Sequence, residues 1–200
     1  MPGPKGQATR ARAILLGCFF GVGGLTFAGQ DPASVSRWVY RATILARGGA
    51  FVQAPGAVRQ SALNDCGPAA LATLILTLGG SPPSVEVIGS FAGTGARGTT
   101  FAGLSEAAHR LGVPSILRRV EPAATAELST PFIAWVDRGH FVTVVPDSTD
   151  SVLVLDPQAG PYRIRMSRLA RYWSGEALIP EPDPSGETAS SHTAASGGTE

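Results

Sequence analysis

The feature that most constrains this chain is a change of hydrophobic period near residue 113. Before it, apolar residues cluster in helical segments. CGPAALATLILTLGG is dense in Ala and Leu, places Pro68 where a first helical turn tolerates it, and stops at Gly79-Gly80. SVEVIGSFA follows with Ser84 as its N-cap, and FAGLSEAAHRL follows with Thr99 or Thr100 as its cap and Gly112 as its end. Between these two, GTGARGTT reads as a flexible loop. After residue 113 the period falls to two. VPSILRRV, TPFIAWVD, GHFVTVV, SVLVLD, GPYRIRM and EALIP read as strands. PDSTD is the turn of a hairpin, PAATAEL a single helical turn, and SRLARYW a short helix. Helices first and antiparallel strands second predicts an α+β domain over residues 58–180.

The flanks differ in character. Lys5, Arg10 and Arg12 precede AILLGCFFGVGGLTFA, residues 13–28, and Thr26-Phe27-Ala28 offers small residues at −3 and −1 of a cleavage site. The run falls short of the roughly 20 residues that span a bilayer, and its glycines weaken it as a helix. Residues 1–28 are therefore expected to be a signal peptide, with a retained inner-membrane anchor over 13–28 as the alternative. The protein is expected to be exported, to the periplasm or the exterior. Residues 29–57 read as a connector, helical in part (Val35, Trp38, Val39, Ala42, Leu45) and broken at Gly48-Gly49 and Pro55-Gly56. Residues 181–200 contain no large apolar side chain and are expected to be disordered.

Charge narrows the partners. Only 16% of residues are charged and the net charge is +1, which leaves no basic face for nucleic acid. A peptide or protein is the better fit. The three His and two Cys show no metal-ligand spacing, and the sequence implies no cofactor. If the signal is removed, Cys18 leaves with it and Cys66 remains as an unpaired thiol.

Cys66 follows Asn64-Asp65 and opens a helix, where unpaired N–H groups and the helix dipole favour a thiolate. The opposing explanation is a small buried hydrophobe, and helix position alone leaves the two even. His140 opens a strand after Gly139, and Asp156 ends the strand paired with it, so a hairpin would bring both to one end. The carboxylate could then orient the imidazole, and the imidazole could take the thiol proton. Asp-Pro is also a common turn starter. Gln60, six residues before Cys66, could join the Cys66 N–H in holding an oxyanion, although spacing alone favours an exposed loop glutamine.

Together, QSALNDCGPAAL, GHFVTVV and VLVLDPQAG resemble the C39 peptidases, papain-like cysteine peptidases that process double-glycine leader peptides, over residues 58–180. The resemblance implies a papain-like fold, a Cys66 nucleophile, a His140 general base, an orienting Asp156 and Gln60 in the oxyanion hole. C39 domains fused to exporters accompany membrane spans and an ATPase. No GxxxxGK[ST] loop occurs here, so a stand-alone form is expected, with a secretion apparatus or membrane as further partner. Two rivals stay open: an acyl transferase of transglutaminase-like type using the same Cys-His-Asp set, and a non-catalytic peptide-binding module. Gly48-Gly49 admits two explanations as well, a linker or a site of self-processing.

Overall fold

A computed structural model describes residues 32–121, 124 and 128–182. The expected signal or anchor, the tail beyond residue 182 and most of the turn at PAATAEL lie outside the described residues. Among the described residues no helix is long and apolar enough to cross a membrane. The chain divides into two units, residues 1–43 and 44–200. The described part of the first is the opening of helix α1 (Pro32–Ala46), where the Thr43 hydroxyl donates to the Val39 carbonyl at 3.0 Å.

The second unit carries the remaining elements: β1 (Ala50–Phe51), α2 (Cys66–Thr77), α3 (Val85–Phe91), α4 (Phe101–Arg110), β2 (Ser115–Arg119), β3 (Phe132–Val136), β4 (His140–Pro146), β5 (Ser151–Asp156), β6 (Gly160–Arg165), α5 (Met166–Leu169) and β7 (Trp173–Pro180). The strands form one antiparallel sheet in the order β1-β6-β5-β4-β3-β7-β2. Helices before an antiparallel sheet is the expected α+β arrangement.

The helix caps follow local chemistry. Ser84 Oγ accepts from Val87 N at 3.4 Å and Thr100 Oγ1 from Gly103 N at 3.0 Å, each satisfying an otherwise orphaned donor. Helix α2 is buried over Cys66–Ile75, because it lies against the centre of the sheet. Leu71, Leu74, Ile88, Leu104, Ile133 and Leu178 have no exposed surface in this core. Each such side chain contributes roughly 1.5–3 kcal/mol by leaving water. The opposite side of the central strands is buried too: Phe132, Ala134, Val142, Val144, Val154 and Tyr162 are nearly or wholly inaccessible. Burial on both faces explains the near-continuous apolar runs of β3 to β5.

Three stretches depart from expectation. The connector contributes β1, in which Ala50 and Phe51 pair with Arg163 and Tyr162 at the sheet edge. Gly48-Gly49 is an ordered helix stop. Gly48 takes φ +87°, its N–H and that of Gly49 donate to Leu45 and Ile44, and a Cβ on Gly49 would lie 2.6 Å from the Ile44 side chain. The last helix covers only Met166–Leu169. Trp173, expected in it, begins β7, where Gly175 at φ +85° lets the strand start three residues before Glu176.

Candidate functional site

The site begins in the loop that feeds α2. Asp65 Oδ2 accepts from Ser61 N at 3.0 Å, Ser61 Oγ at 2.7 Å and Ala62 N at 3.0 Å, closing residues 61–65 into a tight turn. Its side chain is thereby committed to the turn and does not cap the helix. Cys66 follows as the first helical residue, so its N–H has no acceptor one turn back. Gly67 must be small: a Cβ there would sit 3.0 Å from Thr99 Cβ and 3.2 Å from the Phe141 ring. That absence of side chain lets β4 come up against the start of α2.

Two features hold β4 in place. The buried Thr143 hydroxyl donates to the Ala70 carbonyl at 2.8 Å, joining the middle of β4 to the second turn of α2. Ahead of β4, Asp137 and Arg138 adopt φ 52° and 55°, and the Arg47 guanidinium holds Asp137 Oδ2 at 2.8 Å while stacking 4.4 Å from the Tyr172 ring centre. His140 emerges directly after this turn. On β5, pairing of Thr143 with Leu155 sets Asp156 opposite Val142, two residues along from His140 on the same side of the pleat.

His140 Nε2 meets Asp156 Oδ1 at 3.0 Å. The same oxygen accepts from Gln158 N at 2.7 Å and Ala159 N at 2.8 Å, and Asp156 has no exposed surface. With Nε2 taken by the carboxylate, Nδ1 is the ring nitrogen left to share the hydrogen bond between His140 and Cys66. Burial alone pushes the Cys66 thiol up. The bond to His140, a backbone hydrogen bond at Phe141, the imidazolium charge and a further backbone bond at Gly67 outweigh it, and the thiol falls below its ordinary value. Burial lowers His140, but hydrogen bonds to Asp156 and Cys66 and the charge of both raise it further, to about 10. Both shifts favour a thiolate facing an imidazolium.

The structure thus brings together Cys66, His140 and Asp156. Gln60 reaches them through its backbone, its N–H donating to the carbonyl of Pro157, the neighbour of Asp156, at 3.1 Å. Its carboxamide nitrogen donates to the Ala62 carbonyl at 2.9 Å, and Oε1 is buried without a hydrogen-bond partner. Beside the sulfur lies a cleft of about 190 Å³ walled by Trp135, Phe141, Thr99 and Gly98, with Asn64 and Arg97 at its edge. The Trp135 and Phe141 rings are 4.4 Å apart, and Phe101 backs Phe141 edge-on at 4.9 Å. Arg97, Thr99 and the Thr143 link were not legible in the sequence, because their roles depend on contacts between elements far apart in the chain. Among the described residues no cluster of His, Cys, Asp or Glu could hold a metal ion.

Residues 56–185 match the model of the peptidase C39 family. The chain belongs to that family. An uncharacterised protein of Methanothermobacter marburgensis is 34% identical over 124 residues, a match spanning 62% of this chain and 87% of that one. Among solved structures, the peptidase domain of Streptococcus ComA, a bifunctional ABC transporter, superposes with a TM-score of 0.56 at 27% identity, covering 63% of this chain and 97% of that domain. A double-glycine-motif protease from an AMS/PCAT transporter, solved in complex with a leader peptide, gives 0.58 at 26%, covering 66% and 93%. The papain-like fold expected from the three motifs is the fold of these C39 domains. In this C39 chain all three motifs fall inside the matched span.

Proposed function

We propose that this C39 protein is a cysteine peptidase in which Cys66 is the nucleophile, His140 the acid and base, and Asp156 the carboxylate that orients and charges His140. The observation that carries the reading is the buried relay from Asp156 Oδ1 through His140 to the Cys66 thiol, with the thiol lowered despite its burial. A packing cysteine has no use for such an arrangement, and neither does a module that only binds peptide.

The thiolate attacks the carbonyl carbon of the scissile bond. The oxyanion is held by the Cys66 N–H, with the second N–H of the Gln60 carboxamide as partner donor. Collapse expels the amine, which takes the proton from His140, and leaves a thioester on Cys66. His140, now neutral, accepts a proton from water as it attacks; the acid leaves and the thiolate–imidazolium pair returns. A double-glycine-motif protease solved with its leader peptide shares this fold, which supports glycine before the cut. A Gly-Gly peptide of the leader type is therefore the substrate proposed. The reading places the mature enzyme outside the cytoplasm, on the strength of the basic and apolar residues at the N-terminus.

The test is cleavage of a synthetic Gly-Gly peptide followed by mass spectrometry, with an added amine acceptor. New termini after glycine, absent with Cys66→Ala and His140→Ala, support hydrolysis. A new amide on the acceptor would move the protein to the acyl transferases, and cleavage that survives in either variant would remove that residue from its role.

A further inference from the structure

We propose that Arg97 is a specificity residue of this cleft, selecting peptides with Asp or Glu next to the scissile bond. The proposal deepens the peptidase reading and rests on it. Arg97 sits at the tip of a small hairpin, GARG, in the loop between α3 and α4. Gly95 and Gly98 exchange backbone hydrogen bonds at 3.1 and 2.9 Å, and Gly98 takes φ +88°, a conformation that side chains other than glycine's adopt only under strain. Three further bonds fix the base of this hairpin. Asn64 Nδ2 donates to the Gly95 carbonyl at 2.9 Å, Thr94 N to the Gly89 carbonyl at 2.9 Å, and the hydroxyls of Thr94 and Thr99 meet at 2.7 Å. Asn64 is two residues from the nucleophile, so the hairpin is tied directly to the loop that presents Cys66. The stretch expected to be flexible is a pinned finger.

The charge at its tip is isolated. Apart from Cys66 itself, Arg97 is the one charged side chain lining the cleft beside the sulfur, whose other walls are neutral or apolar. It is exposed and makes no hydrogen bond or ion pair among the described residues. The other arginines with carboxylate partners, Arg47, Arg110, Arg163 and Arg165, are neutralised where they stand. A cation carried on a pinned hairpin at the lip of a cleft attracts a carboxylate from whatever enters. A second depression, on the far side of the Ser61–Asp65 turn, is lined instead by Asp65 and Glu86. The positive field is therefore local to the nucleophile's side.

The experiment compares matched Gly-Gly peptides carrying Glu, Gln or Lys as the first residue after the scissile bond, at low and moderate salt. Wild type is expected to favour Glu over Lys by about fivefold in kcat/KM, the upper range for an exposed ion pair, and to lose this preference as salt rises. Arg97→Gln should bring the ratio to about one, and Arg97→Glu should invert it. Glu86→Gln should leave the ratio as it is. An unchanged ratio in Arg97→Glu overturns the proposal while the peptidase reading survives. Failure of wild type to cleave any of the peptides, with Cys66 no more reactive than a free thiol, overturns both.

Discussion

Replacing Asp156 by Asn separates two things a carboxylate does for an imidazole, holding it and charging it. Asp156 Oδ1 accepts three hydrogen bonds, from His140 Nε2 and from the N–H groups of Gln158 and Ala159. Those two backbone donors dictate how an asparagine would sit. Turning its NH2 toward them would set donor against donor in a fully buried site, at a cost of about 1–3 kcal/mol for each group left unsatisfied. The carbonyl therefore stays where Oδ1 was, and His140 keeps its orientation and its Nε2–H tautomer. Only the charge goes. A hydrogen bond to a charged group contributes about 1.5–3 kcal/mol against about 0.5–1.5 for a neutral one, a difference of roughly 1–1.5 kcal/mol or about one pKa unit. His140 falls from its raised value, and Cys66, which owes part of its lowering to the imidazolium, rises. The window in which thiolate faces imidazolium narrows from both sides. Peptide kcat/KM should drop about five- to twelvefold, and the acid limb of Cys66 alkylation by iodoacetamide should move up by about one pH unit. A loss beyond about a thousandfold in a folded variant, the outcome expected when the tautomer itself is wrong, would refute the argument from the two backbone donors. So would an alkylation profile that does not move.

His140→Ala removes the hydrogen bond and charge that lower Cys66 and leaves the burial that raises it, so alkylation should begin only at a distinctly higher pH than in wild type. An identical profile in the two proteins would show that no Cys–His pair exists. Gln60→Ala should reduce kcat about a hundredfold with little change in KM if its carboxamide serves the oxyanion, whereas a rise in KM alone would assign it to substrate binding. Thr143→Val deletes the buried bond to the Ala70 carbonyl and should cost about 1 kcal/mol, read as a lower denaturant midpoint at unchanged slope. The full chain and its Cys66→Ala variant should show no Cys66-dependent terminus at Ala50: the Gly49–Ala50 bond joins a buried helix stop to a paired strand, and presenting it would mean pulling β1 from β6. A mass for the fragment beginning at Ala50 in wild type alone would refute this.

Much of the site was legible because its parts depend on local rules. The position of Cys66 follows from a helix start, which Asn64-Asp65 before an apolar run announces. The meeting of His140 and Asp156 follows from the period-two pattern on both sides of PDSTD, since a hairpin of fixed register brings the far ends of its strands together. What escaped is what the chain decides at long range. β7 enters the sheet between β3 and β2, and nothing in EALIP distinguishes that neighbour from another. β1 is two residues long and is defined by its partner Arg163-Tyr162 and not by its own composition. GTGARGTT has the composition of a mobile loop, and it is ordered by Asn64 from another loop and by its own glycines at positive φ.

Gln60 is the instructive case between these extremes. Its spacing from Cys66 identifies a residue able to return beside the sulfur, and the turn closed by Asp65 does return it, to within one backbone hydrogen bond of the residue after Asp156. Whether its amide serves the chemistry is a matter of one torsion, which spacing does not encode. A carboxamide has two N–H donors, and the Ala62 carbonyl takes only one. The second is the donor the oxyanion needs. The bond to Ala62 is one exposed hydrogen bond of the free enzyme, so Gln60→Ala should cost only about 0.5–1.5 kcal/mol of stability while impairing turnover far more. A variant that is both slower and markedly less stable would instead make Gln60 a strut of the turn.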